Sequence, residues 1–167
     1  ISLSATQDFW FEGNETVQIN FTSTDIEIDS DDSSASIVIA DAQTRPTVDF
    51  TVATNSVAED VGGGTQDVTI TMSGECQNPV VVTVGYTGAA LSSGGLADYS
   101  GASTTVTIPS NPAPPVAAGS VTQTVTLTIN NDTRVELDEL ATLTISAVTV
   151  AQMGTTQLMH GLTITDN

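Results

Sequence analysis

The sequence predicts an all-β chain: one complete antiparallel β-sandwich of seven strands, preceded by the last three strands of a second copy. Three observations carry this expectation. Short runs rich in Val, Ile, Leu and Thr recur between clusters of Gly, Pro, Ser, Asn and Asp, and no segment has a convincing helical period. Hydrophobic residues make up 39% of the 167, enough to bury a core despite the high charge. The chain also repeats itself: Asp8, Glu12 and Glu15 sit 124 residues before Asp132, Glu136 and Glu139, both sets reading D-x-x-x-E-x-x-E and both entering a strand-like run.

The match extends to either side of that motif. Upstream, Ile1, Leu3 and Ala5 align with Val125, Leu127 and Ile129; downstream, Ile37-Val-Ile-Ala-Asp41 resembles Leu162-Thr-Ile-Thr-Asp166. Residues 1–5, 15–23 and 34–40 are therefore expected as the three strands of the first unit, residues 1–42. Residues 42–46 read as a linker, because a residue before proline is pushed towards extended backbone. The second unit, residues 43–167, holds a fuller set. Residues 48–53 alternate, and 56–59 continue after a break. A Gly-rich turn follows at 62–66, then strands at 68–72, 80–86 and 104–108. Residues 109–119 hold four prolines and read as an extended loop. Residues 120–129, 141–150 and 157–165 complete a sandwich whose Thr-rich outer faces suit a pleated surface. Three strands alone leave an uncovered face, so the first unit needs its missing strands from preceding sequence or from another copy.

Composition excludes several functions. Twenty acidic residues face two arginines, Arg45 and Arg134, and no lysine, for a net charge of −18. Such a surface repels nucleic acid, and no apolar run is long enough to insert in a membrane. It suits a cation-rich exterior, and the chain reads as a piece of a secreted or cell-surface protein. One cysteine, Cys76, permits no internal disulfide and reads as a small buried thiol. A single histidine, His160, with no nucleophile motif beside it, argues against hydrolytic chemistry, and the absence of lysine excludes Schiff bases. The chain is not expected to be an enzyme. Phe9, Trp10 and Phe11 flank the first acidic turn and read as core packing or as a cap over the contact between units. Tyr86 and Tyr99 read as packing residues with a polar tip. Asp29, Asp31 and Asp32 read as a solvated loop.

The acids fall at strand ends. In an antiparallel sandwich alternate strand ends share a pole, so Glu59, Asp98, Asp132, Glu136, Glu139 and Asp166 can gather at one end of the second unit. Crowded carboxylates repel unless protonated or neutralised. Calcium suits such a set, because it takes six to eight oxygen ligands in flexible geometry, whereas magnesium demands a strict octahedron. Zinc is disfavoured by the scarcity of His and Cys.

The ordered pattern Val57-Ala-Glu59, Val82-x-Val84-x-Tyr86, Ala97-Asp98-Tyr99, Leu127-x-Ile129-x-Asn-Asp132, Glu136-x-x-Glu139 and Ile164-x-Asp166 resembles the Calx-β domains of sodium/calcium exchangers and many surface proteins. The resemblance covers residues 46–167, and residues 1–42 match the family's C-terminal third. It implies an immunoglobulin-like β-sandwich with calcium at one pole. The implied ligands are Glu59, Asp98, Asn131, Asp132, Glu136, Glu139 and Asp166, with Arg134 offering only its backbone carbonyl. In the first unit Gln7, Asp8, Glu12, Glu15 and Asp41 hold the matching places. Asn131-Asp132 stands where many members carry an acidic pair, which implies fewer or weaker ions. The expected function is a calcium-binding structural or adhesive module of a tandem-repeat surface protein, with calcium stiffening the junctions. Expected partners are calcium ions, neighbouring modules or copies of the same chain, and a cell-surface protein or glycan. The alternative is a subunit of a head-to-tail filament, completed by strands from another copy.

Overall fold

A computed structural model describes residues 2–8, 10–28, 33–59, 64–110, 121–132 and 134–166. The expected proline-rich loop at 109–119, the tip of the Gly-rich turn, Phe9 and the Asp29, Asp31, Asp32 loop all include or lie within residues outside this set. The described residues form β-strands and no helix. They fall into a two-stranded sheet and two five-stranded sheets.

The small sheet pairs β1 (Glu15–Asn20) with β2 (Ser34–Ile39). The larger unit begins with β3 (Thr47–Phe50) and β4 (Thr54–Ala58), continues through β5 (Thr65–Ser73), β6 (Val80–Gly88), β7 (Tyr99–Ser100) and β8 (Thr105–Ile108), and ends with β9 (Val121–Ile129), β10 (Glu139–Val148), β11 (Gln152–Met153) and β12 (Met159–Thr165). One sheet runs β4-β12-β10-β6-β8 and the other β11-β3-β5-β9-β7. Alternation along the strands explains how they face each other. In β5, Val68, Ile70 and Met72 point inward while Thr69 and Thr71 do not. In β9, Val125, Leu127 and Ile129 are buried between exposed threonines. Fully burying each such side chain stabilises by about 1.5–3 kcal/mol. Among the described residues the buried hydrophobic side chains all lie between Val48 and Ile164, so the larger unit has its own core.

The sandwich is as the sequence predicts, with more detail than seven strands. The first predicted strand crosses between the sheets: β3 belongs to one and β4 to the other. Thr51–Ala53 makes the step, fixed by Thr51 N–H donating to Thr69 O (2.9 Å), Gly161 N–H donating to Ala53 O (2.8 Å) and the His160 ring bonding Val52 O through Nδ1 (2.9 Å). His160 is thus a buried packing residue, tilted against Phe50. Because the chain crosses over, β4 pairs with β12 in parallel, and β11 pairs with β3 in parallel; all other strand pairs are antiparallel.

The first unit departs from expectation at its start. Residues 2–5 form no strand. Their repeat partner β9 is held between β5 and β7, and residues 1–42 contain no counterpart of either, so no ladder is present for them to join. Leu3 instead lies over Val17 and Ile37 as part of an open apolar trough. β1 and β2 repeat the final hairpin in register. Glu15 pairs with Ile39 as Glu139 pairs with Ile164, and Val17 with Ile37 as Ala141 with Leu162. The contrast is in burial. Ala141, Leu143, Ile145, Leu162 and Ile164 are core, whereas Phe21 and Ile37, the partners of Ile145 and Leu162, are 42% and 43% exposed.

Candidate metal centre

The crossover that splits β3 from β4 carries Glu59 to the end of β4, beside the end of β12. There Glu59 N–H donates to Thr165 O (3.0 Å). Asp98 reaches the same pole just before β7. Its carbonyl accepts Asn130 N–H (2.9 Å), Asn130 Nδ2 donates to Ala97 O (2.7 Å), and Leu91 N–H donates to its Oδ2. Asn130 therefore positions Asp98. Sequence reading passed over it in favour of Asn131; its place as the first residue after β9, opposite the Asp98 turn, was the available signal.

Glu136 lies in the loop between β9 and β10. The carboxylates of Glu59, Asp98 and Glu136 converge, with one oxygen from each within 4.8 Å of the others. Glu59 and Asp98 are buried and Glu136 is half-buried. Asp166 anchors the loop: its Oδ2 accepts Glu136 N–H (2.8 Å), while its Oδ1 is buried without a hydrogen-bond partner. Asp132 holds the loop's other end, its Oδ1 accepting Arg134 N–H (2.7 Å). Glu139, at the start of β10, brings its carboxyl up to that of Asp98.

The electrostatics are those of crowded anions. Burial first, then the charges of Asp166, Asp132, Asp98 and Glu136, push the Glu59 carboxyl above its ordinary value. A side-chain hydrogen bond with Asp98 first, then burial and the charges of Asp98, Glu136 and Glu59, push Glu139 up as well. The centre thus gathers the six acids expected from the sequence. Asn131 and Arg134 are different: both side chains are exposed. A buried, unpartnered carboxylate oxygen beside three convergent carboxylates is a donor set that suits a hard cation.

The first unit carries a smaller version. Asp41 Oδ2 accepts Glu12 N–H (2.6 Å) and Gly13 N–H (2.8 Å), repeating the Asp166–Glu136 bond, and its Oδ1 accepts Gln43 N–H (2.9 Å). Burial raises the Asp41 carboxyl, but the three backbone donors outweigh it and hold it below the usual value. Glu12 is pushed up by burial, then by the charges of Asp8, Glu15 and Asp41, and is partly relieved by a hydrogen bond from Gln77. Asp8, Glu12, Glu15 and Asp41 line one shallow cavity of about 280 Å³, and Glu15 is exposed.

This second cluster meets the far end of the larger unit. Phe11 forms a bridge with Cys76: Phe11 N–H donates to Glu75 O (3.4 Å) and Gln77 N–H donates to Phe11 O (3.3 Å). Phe11 packs against the core there and Cys76 is a buried free thiol, so the aromatic does cap the contact between units.

No family model matches the chain, and no curated protein matches it. Solved structures do. The chain is similar to the apo form of the Calx CBD1 domain at a TM-score of 0.58 and 17% identity, over 74% of this chain and 99% of that one. It is similar to the calcium binding domain CBD12 of CALX1.1 at 0.56 and 19%, over 72% of this chain and 44% of that one. It is similar to the Calx CBD2 domain at 0.53 and 12%, over 72% and 86%. At these identities the likeness is one of fold: this chain is built as an all-β sandwich of the Calx-β type.

Proposed function

We propose that residues 43–167 form a calcium-binding structural module, and that residues 1–42 are the end of a preceding module of the same kind. The convergence of Glu59, Asp98 and Glu136 within 4.8 Å carries the metal reading, supported by the unpartnered Oδ1 of Asp166. Glu59, Asp98, Glu136 and Asp166 would hold the ion, with Asp132 and Glu139 supplying further charge. Calcium would cancel repulsion that the fold otherwise tolerates only by raising carboxyl pKa values. The in-register repeat of β1–β2 on β10–β12 supports the tandem reading. The module binds rather than catalyses, as the similar structures named for calcium binding suggest. A net charge of −18 suits a surface or extracellular setting, where such modules bind calcium with Kd of roughly 10⁻⁴–10⁻³ M. A rod of such modules would serve adhesion or a surface filament.

Calorimetric titration with calcium and then magnesium tests the metal reading. Saturable heat with calcium, lost in Glu59→Gln, is expected; equal weak responses to both ions, unchanged by that substitution, would sink it. The open trough over Val17, Ile37 and Phe21 favours one alternative, a filament completed by strands from another copy. Light scattering across a concentration series decides: a constant mass supports completion within the longer protein, and open-ended growth supports the filament.

A further inference from the structure

The junction inside this chain is repeated, unused, at its other end. Phe11 and Val135 hold the same place in the repeat, one residue before Glu12 and Glu136. Both loops are pinned alike, by an N–H bond from that glutamate to Asp41 or Asp166. Phe11 spends its backbone N–H and C=O on the Glu75–Gln77 segment. Val135 makes neither bond among the described residues and is 91% exposed. An apolar side chain so placed, with two free backbone groups beside it, is an unfilled copy of an interface already present in the molecule.

We infer that the Val135 loop is the docking surface for a following module, whose segment equivalent to Glu75–Gln77 pairs with it as this chain's own segment pairs with Phe11. The inference rests on the tandem reading and names its contact. The neighbouring Leu137, 86% exposed, does not obstruct it. Its partner in the repeat is Gly13, and a side chain built there would meet nothing within 4 Å. The two loops differ in backbone at this point, since Gly13 has φ of 83° and Leu137 is not in the positive region. The docking residue itself precedes that difference. Val is smaller than Phe, so the Val135 contact covers less apolar surface and depends more on its two backbone bonds.

The test is a chain extended by its own module. Residues 42–167 are appended after Asp166, which stands where Asp41 precedes the same linker. The added copy brings its own core and an unoccupied Cys76. With the first Cys76 changed to alanine, Val135→Cys faces the added thiol at the spacing of the Phe11–Cys76 bridge, within reach of a disulfide. Under mild oxidation Val135→Cys should cross-link within about threefold of the rate of Phe11→Cys in the original chain, and at least tenfold faster than Leu137→Cys in the extended one. Equal rates for positions 135 and 137, or no cross-link from Phe11→Cys in the original chain, would overturn the inference. Val135 and Leu137 are exposed, so their substitution leaves the core intact; Phe11 packs against the core and Cys76 is buried in it, so the Phe11→Cys and Cys76→Ala chains are first checked for unchanged cooperative unfolding. Running the reaction in calcium and in chelator separates this result from the metal reading, which stands or falls on the calorimetry.

Discussion

Asp166→Asn separates what this carboxylate does for the fold from what it does for a cation. The amide keeps an oxygen to accept Glu136 N–H, so the loop stays anchored. It removes the charge that contributes most, after burial, to raising Glu59. Without calcium the variant should therefore be more stable than the parent at pH 7. Relief of one partly exposed like-charge contact is worth up to about 1 kcal/mol. With calcium the order should reverse. At a hundredfold excess over Kd, binding adds about 2.7 kcal/mol to the parent. A unit of roughly 120 residues unfolds with an entropy of about 0.25 kcal/mol/K, so calcium should raise the parent's Tm by about 11 °C, and the missing charge should raise the variant's apo Tm by up to about 4 °C. The assay is thermal unfolding by circular dichroism at fixed ionic strength, in chelator and over a calcium series. The two melting curves should cross as calcium rises. A variant less stable than the parent in chelator would refute the repulsion argument, and an undiminished calcium shift would refute a role for Asp166 in the site.

Proton and calcium should compete at the same pole. Glu59 and Glu139 are raised in the fold, so their protonated forms favour the folded state: that stabilisation is fully present below their ordinary value of 4.5 and is lost as pH rises through the raised values. Calcium binding should accordingly release protons in weakly buffered titration at acid pH, and its affinity should fall as pH is lowered towards the ordinary value of 4.5. Asp41 works in the opposite sense: its lowered carboxyl stabilises above its ordinary 3.8, and acid titration of Asp41→Asn should lack that loss at low pH. Leu143→Ala, in the centre of β10, should cost about 2–5 kcal/mol in urea unfolding, because its site is fully enclosed. Ile19→Ala, its partner in the open hairpin, should cost under about 1 kcal/mol in the same measurement, since that face has no covering sheet. Gly88→Ala should be among the most damaging small changes: φ is 124° and an added Cβ would sit 2.0 Å from Leu140 O, so a clear loss of Tm is expected.

Alternation made most of the core legible. β5, β9, β10 and β12 were readable because each buries every second residue and ends at turn-forming residues. The two-residue strands β7 and β11 carry no period at all. Nor does a period of two say which sheet a strand joins. Residues 48–53 and 56–59 read as one interrupted strand, and only the bonds from Thr51 and Gly161 show the step from one sheet to the other. That step sets the site, since it brings Glu59 beside Asp166. Residues 1–5 failed for the opposite reason. Their pattern matches β9, but a strand needs neighbours, and residues 1–42 supply none on that side.

The acidic pole was legible through recurrence rather than through acidity. A solvated surface has no reason to repeat three carboxylate spacings 124 residues apart, and still less to repeat the bond that ties the middle glutamate to the end of the last strand. What recurrence could not show is the difference between the copies. The second pole buries Glu59 and Asp98 because β4 and the Asp98 turn bring them in, and residues 1–42 contain neither element. The first pole keeps its anchor and loses its interior, and its loop has turned outward to grip the next unit through Phe11. Each pole thus sets two residues side by side: a glutamate near the carboxylates and, just before it, an apolar residue that contacts the neighbouring unit at Phe11 and is exposed at Val135. A cation drawn to the glutamate would restrain the loop that carries the contact. On the proposed reading, calcium and end-to-end stiffness would be coupled through the Phe11–Glu12 and Val135–Glu136 pairs, and a cross-link at Val135 that forms faster in calcium than in chelator is the measurement in which that coupling would be read.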